Sequence, residues 1–194
     1  MKIAIVKYNA GNVESVRNAL VRLGVEPVLT DDAKVLKISD KIIFPGVGEA
    51  SSAMRYLRAK GLDETIKNLA QPVLGICLGM QLLCEFSEEN DTECLGILPY
   101  SVKKFTSENL KIPQMGWNNI FDLKSALFEN VRENSFVYFV HSFYVESGAE
   151  TIAACDYTVN FSAAIKRENF YAVQFHAEKS GAVGEKILEN FLKI

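Results

Sequence analysis

The sequence predicts an α/β fold: a doubly wound, mostly parallel sheet with helices on both faces and added antiparallel strands. Three observations predict it. Short β-branched runs alternate with helical patterns through the first half of the chain, the order expected of βαβ units. Those runs, such as Ile3-Ala4-Ile5-Val6 and Lys41-Ile42-Ile43-Phe44, lack polar alternation, as strands covered on both faces do. From residue 95 to residue 171 strand follows strand, which adds antiparallel pairs and hairpins to part of the sheet.

In chain order, the first strand is expected at residues 3–6 and a helix at 13–23, where Val13, Val16, Leu20 and Leu23 recur at helical spacing. A strand over 26–30 follows, then strands over 41–44 and 73–76, with helices over 50–58, 62–69 and 80–86. The second half reads as strands at 101–105, 118–121, 136–140, 151–154, 162–166 and 170–175, with Arg167-Glu168-Asn169 as a turn. A closing helix over 183–192 packs back on the sheet. No linker rich in Pro, Gly or Ser, no low-complexity tract and no repeat interrupts this order, so residues 1–194 are expected to form one domain.

Composition narrows the function. A net charge of −3, from 21 basic and 24 acidic residues, offers no electrostatic footprint for a polyanion, which argues against nucleic acid. The N-terminus lacks the apolar run and cleavage site of a signal peptide, and no run of about 18 apolar residues occurs. The chain is therefore expected in the cytoplasm, off the membrane, with its thiols reduced. Four Cys are too few for a disulfide scaffold, and two His rule out a multi-histidine metal cluster. Acid–base chemistry by imidazole near neutral pH has only His141 and His176 to draw on.

Gly75-Ile76-Cys77-Leu78-Gly79 follows one expected strand and opens a helix. It has the form of a cysteine nucleophile elbow, with glycines permitting a sharp turn that lifts the thiol above the strand's carboxyl end. The helix start favours thiolate, and the Leu78 amide would point at a developing oxyanion. An isolated pentapeptide of this kind is equally a buried cysteine between packing glycines; the strand before it and the helix after it favour the nucleophile. A thiol needs a base, and Val173-Gln174-Phe175-His176-Ala177-Glu178 supplies one at a strand end. Residues two apart on a strand share a face, so Glu178 would orient His176.

Pro45-Gly46-Val47-Gly48 reads as a second source of oxyanion donors, from Gly46 or Val47, or as a plain βα turn. It fails as a dinucleotide fingerprint because the third glycine would fall at Ser51. Asn9-Ala10-Gly11-Asn12 reads as a turn and helix start with Asn12 as N-cap. Cys84, Cys94 and Cys155 match no zinc spacing and read as small core residues. His141 is either a site residue or a satisfied core histidine.

Together these motifs resemble the class I (triad) glutamine amidotransferases. Gly75 to Gln81 and Phe175-His176-x-Glu178 carry that resemblance. Pro45 to Gly48, Pro113-Gln114-Met115-Gly116-Trp117-Asn118, Val140-His141-Ser142-Phe143 and Glu178-Lys179-Ser180 are similar to the glutaminase subunits of imidazole glycerol phosphate synthase. It runs from Tyr8-Asn9-Ala10-Gly11-Asn12 to the last helix. The resemblance implies hydrolysis of L-glutamine to glutamate and ammonia, with no cofactor and no metal. The ammonia would pass, within a heterodimer, to a partner cyclase that makes imidazole glycerol phosphate and AICAR in histidine biosynthesis. It further implies Cys77 as nucleophile forming a γ-glutamyl thioester, His176 as acid and base, and Glu178 as its orienter. Gly46, Val47, Leu78, Gln81, Ser142 and Phe143 would form the oxyanion and glutamine pocket, the last two through backbone groups. Pro113, Gln114, Met115, Gly116, Trp117, Asn118, Tyr138 and Lys179 would face the cyclase. Two departures stand out: Ala177 where many members have Pro, and Lys7 where the first strand often ends in Asp.

Three other readings remain. A paralogue could feed ammonia to a sugar-amidating synthase. A stand-alone cysteine hydrolase explains the elbow but not Pro113 to Asn118 or Lys179. A binding module is favoured only if Cys77 is unreactive.

Overall fold

The computed structural model describes residues 1–8 and 12–194; the expected turn at Asn9-Ala10-Gly11 lies outside the described residues. Elements of the first half are β1 (Ile3–Val6), α1 (Val13–Arg22), β2 (Val28–Thr30), α2 (Ala33–Lys37), β3 (Lys41–Gly46), α3 (Ala50–Ala59), α4 (Leu62–Lys67), β4 (Val73–Cys77) and α5 (Leu78–Leu83). They continue as β5 (Phe86–Ser87), β6 (Thr92–Glu93), β7 (Ser101–Lys104), β8 (Gln114–Ile120), β9 (Ser135–His141) and β10 (Phe143–Val145). The last are β11 (Thr151–Asp156), β12 (Asn160–Arg167), β13 (Phe170–Val173) and α6 (Gly181–Lys193), with short 3-10 turns at Ala126–Phe128 and Ala177–Lys179.

A seven-stranded sheet in the order β11-β12-β13-β4-β3-β1-β2 forms the centre. From β13 to β2 the pairs are parallel, and β11 and β12 extend the sheet antiparallel. Every residue of β1, β3, β4 and β13 is buried, which is why these strands show no polar alternation. Their side chains still alternate between two cores. Ile3, Ile5, Ile43, Leu74 and Ile76 pack with Val16 and Leu20 of α1 and Ile187, Leu188 and Phe191 of α6. Ala4, Val6, Ile42, Phe44 and Val73 face Ala53, Met54 and Leu57 of α3, Ile66 of α4 and Leu82 and Leu83 of α5. Each large side chain so enclosed contributes about 1.5–3 kcal/mol, and the two layers fix the sheet's carboxyl edge, where β4 ends at Cys77.

The Arg167-Glu168-Asn169 turn is a tight hairpin, Arg167 pairing with Phe170 across Glu168 at φ 51°. Asn169 donates to the carbonyls of Leu69 and Gln71, pinning that hairpin to the entry of β4.

Other expectations shift. The helix foreseen at 80–86 starts at Leu78 and stops at Leu83. Leu95, Ile97 and Leu98 donate to the carbonyls of Leu82 and Leu83, and Cys84 turns extended, so the chain leaves the helix and Phe86 joins β5. The second-half strands do not all extend the main sheet. β10, β7, β5 and β6 form one small sheet, and β8 and β9 pair alone from Gln114↔His141 to Ile120↔Ser135. The five-residue α2 was not foreseen, although Asp32 caps it by accepting from the Lys34 amide. No helix among the described residues is long and apolar enough to cross a membrane.

Candidate active site

β4 delivers Cys77 to the carboxyl edge of the sheet with φ 54° and ψ −111°, a left-handed backbone for a residue with a Cβ. Strain of about 1–3 kcal/mol is typical of such positions, and the sharp turn therefore lies in the cysteine itself. The flanking glycines act through space rather than through φ. A Cβ on Gly79 would stand 1.8 Å from the Phe44 carbonyl oxygen, and one on Gly75 would stand 2.9 Å from Leu83 Cδ1. Their absence lets α5 close on β3 and β4.

Cys77 Sγ lies 3.7 Å from the Val140 carbonyl and 3.8 Å from Gln174 Nε2. His176 shares the cavity with Cys77, and each acts on the other's charge; on the other side of the ring its Nδ1 meets Glu178 Oε1 at 2.7 Å. The expected reason for that pairing needs correction. β13 ends at Val173, and Glu178 sits in the 3-10 turn Ala177–Lys179. A turn, not a shared strand face, brings carboxylate and imidazole together, and Ala177 in place of Pro leaves it intact. The turn is tied to β9: the His176 amide donates to Tyr138 O at 2.9 Å. Ser180 Oγ then donates to His176 O at 2.6 Å while accepting from the Tyr138 amide at 2.9 Å.

Burial by itself would lower the His176 pKa, but the hydrogen bonds and charges of Cys77 and Glu178 outweigh it and raise the ring to about 10. The imidazole thus holds its proton at neutral pH between a sulfur and a carboxylate. Glu178 is fully enclosed, with side-chain exposure of 0%, so its charge acts on the ring unscreened by water.

A cavity of about 300 Å³ opens above the sulfur, walled by Val47, Gly48, Leu78, Gln81, Ser142, Phe143 and His176. Of the expected pocket residues only Gly46 stands behind the wall. Its role there is room: a Cβ on Gly46 would lie 2.1 Å from the hydroxyl of Tyr8. Among the described residues that hydroxyl is buried without a partner, and desolvation followed by the nearby Cys77 pushes its pKa well up. His141 belongs to both readings left open for it. It lines the cavity and is buried, its Nδ1 donating to Phe143 O at 2.7 Å and its Nε2 lying 2.9 Å from Gln114 Oε1; on a neutral ring that nitrogen accepts, so Gln114 turns its NH2 toward it. Burial pushes its pKa down to about 4, so it is neutral.

The other cysteines are enclosed, and burial pushes Cys94 and Cys155 up to about 12 and Cys84 well above its ordinary value. Only Cys77 among the four meets the cavity.

Three residues stand at this site to which the sequence motifs assign no role in it. Asn12 is no side-chain cap; at φ 73° it turns its amide away from α1 and donates to Glu178 Oε1, 3.5 Å from His176 Nδ1. Glu89 lines the cavity, its pKa raised by burial. Gln174 is wholly buried beside the sulfur.

The residues expected to face a partner divide. Met115 and Trp117 are exposed at 65% and 55%, and Trp117 packs edge-on against half-buried Tyr138. Pro113 and Lys179 stand at the cavity rim, and Gly116 and Asn118 lie beside Trp117 on β8. Gln114 is a correction, since at 3% exposure it turns inward to His141; on a strand its neighbours Pro113 and Met115 take the opposite face.

Comparison with known proteins agrees with this geometry. Over residues 4–194 the chain matches the family described as Glutamine amidotransferase class-I. It is 57% identical over 196 residues to an imidazole glycerol phosphate synthase subunit HisH of Bacteroides fragilis, covering 100% of both chains. It is 46% identical to the subunit of that name from Haemophilus influenzae, covering 100% of this chain and 98% of that one. For Escherichia coli the identity is 44%, with 100% of both covered. Among solved structures, a glutamine amidotransferase superposes with TM-score 0.74 at 16% identity, covering 98% of this chain and 97% of that one. PurLQS from Thermotoga maritima does so with TM-score 0.70 at 19%, covering 99% and 97%. These two likenesses concern the fold.

Proposed function

We propose, for a chain that belongs to the class-I glutamine amidotransferase family and within it to the HisH subunits of imidazole glycerol phosphate synthase, that Cys77, His176 and Glu178 are the triad of a glutaminase serving histidine biosynthesis. The observation that carries the triad is the 2.7 Å pairing of His176 with the enclosed Glu178, on a ring that shares one cavity with the strained Cys77.

In this reading the Cys77 thiolate attacks the side-chain carbonyl carbon of L-glutamine. The oxyanion forms against the Leu78 amide and one from Gly46 or Val47. His176, protonated in the resting pair, gives its proton to the departing nitrogen, and ammonia leaves behind a γ-glutamyl thioester. Water, deprotonated by His176, then attacks the thioester carbonyl and releases glutamate and the thiolate. Glu178 keeps the imidazole oriented and stabilises its cationic form. Val47, Leu78, Gln81, Ser142 and Phe143 hold the amino acid.

Ammonia passes, in the same proposal, to a cyclase subunit that completes a heterodimer. The exposed Met115 and Trp117, with Lys179 at the rim, support a protein partner on the side where the cavity opens.

Two measurements test the proposal. A glutamine-analogue electrophile is expected to label Cys77 and none of Cys84, Cys94 or Cys155; labelling elsewhere overturns the triad. Mixing with an imidazole glycerol phosphate cyclase carrying its ligand is expected to turn weak glutaminase activity into strong activity. Full activity of the isolated chain, or turnover by the mixture on ammonia but not glutamine, overturns the partnership.

A further inference from the structure

We infer that Gln174 is a further catalytic residue, whose side-chain amide donates to Cys77 Sγ and holds the sulfur in its charged form; the inference rests on Cys77 being the nucleophile.

The direction of this hydrogen bond follows from the contacts around it. Gln81 Nε2 reaches two oxygens, Phe143 O at 3.1 Å and Gln174 Oε1 at 3.0 Å. A main-chain carbonyl only accepts, so Gln81 presents its NH2 to both partners. Gln174 must therefore turn its oxygen toward Gln81, and its NH2 alone is left to face the sulfur at 3.8 Å. The Phe143 carbonyl also accepts from His141 Nδ1, which fills both its lone pairs and fixes the relay at its far end. Gln174 is 0% exposed, its own amide continuing the β12 ladder to Ala163 O at 2.8 Å, so no water competes for its donor.

Two groups then compete for the sulfur's protonation state. The Val140 carbonyl, 3.7 Å away, accepts from the thiol and favours the neutral form. The Gln174 amide favours the thiolate. A hydrogen bond to a charged acceptor is the stronger of the two kinds, so the Gln174 contact gains more from a thiolate than the Val140 contact gains from a thiol. The titratable groups nearest the sulfur are His176 and Tyr8, while Glu89, Lys179 and His141 line the same cavity; Gln174 adds a donor that does not titrate.

The test is the pH profile of iodoacetamide alkylation of the full chain, read at each cysteine by mass spectrometry. Gln174→Met is expected to move the midpoint for Cys77 up by about one pH unit, so that alkylation below the midpoint slows about tenfold. Gln174→Glu keeps an oxygen for Gln81 but sets a carboxylate beside the sulfur, and is expected to move it further. Gln81→Met touches no sulfur, yet it frees the Gln174 amide to turn and is expected to shift the midpoint in the same direction. Unchanged midpoints in the three variants overturn the inference. Cys84, Cys94 and Cys155 report folding, since labelling there marks an opened chain; the variants that keep them silent decide. A wild-type chain in which Cys77 alkylates no faster than those three would overturn the nucleophile reading instead.

Discussion

The buried His141 sets a specific acid sensitivity. Its pKa lies near 4 in the folded chain against an ordinary 6.5, so the unfolded chain binds a proton that the folded chain refuses. Stability from this residue is complete above the unfolded value, falls as the pH drops below it, and is wholly lost below the folded value. The gap amounts to about 3 kcal/mol in all, of which about 2 kcal/mol is lost between about pH 7 and about pH 5. His176, with its raised pKa, slopes gently the other way in that window, and carboxylates add their own acid loss. Both contributions are shared by a His141→Gln variant, so the difference between two urea-denaturation series isolates His141. The variant starts weaker, because Phe143 O and Gln114 lose the ring, but its stability should fall by about 2 kcal/mol less over the window. Parallel curves for the two proteins would refute a neutral, enclosed His141.

Three further outcomes are expected. Gly79→Ala places a Cβ 1.8 Å from the Phe44 carbonyl, and main chain paired in a central sheet cannot yield; chemical denaturation should show a loss of about 3 kcal/mol or more. Gly24→Ala, with open space but φ +80°, should cost only about 1 kcal/mol. Asn12→Ala removes the amide from Glu178 Oε1, while Oε2 has no partner among the described residues, so steady-state kinetics with the partner should show kcat about tenfold to a hundredfold lower with KM nearly unchanged. A change confined to KM would remove Asn12 from triad positioning.

Much of the fold is legible because apolar runs report burial directly: β1, β3 and β4 appear where uninterrupted β-branched residues stand. The elbow and the His176–Glu178 pair are legible because a local chain segment carries each. What stays hidden depends on contacts distant in sequence. The early end of α5 comes from carbonyls taken by Leu95 to Leu98, not from a breaker within the helix. Asn12 looks like a cap from its neighbours, and only the fold sets it against Glu178, 166 residues on. Gln174 resembles any buried polar residue on a strand until Gln81 and the sulfur are placed beside it.

The loop of hydrogen bonds among Tyr138, His176 and Ser180 makes the imidazole's backbone and the β9 strand one stiff body. A push on the solvent side of β8 and β9, where Trp117 packs edge-on against Tyr138, is carried through these three hydrogen bonds to the backbone that holds the ring. The His176 ring is in that sense mounted on the outer surface of the molecule, although its own exposure is only 2%.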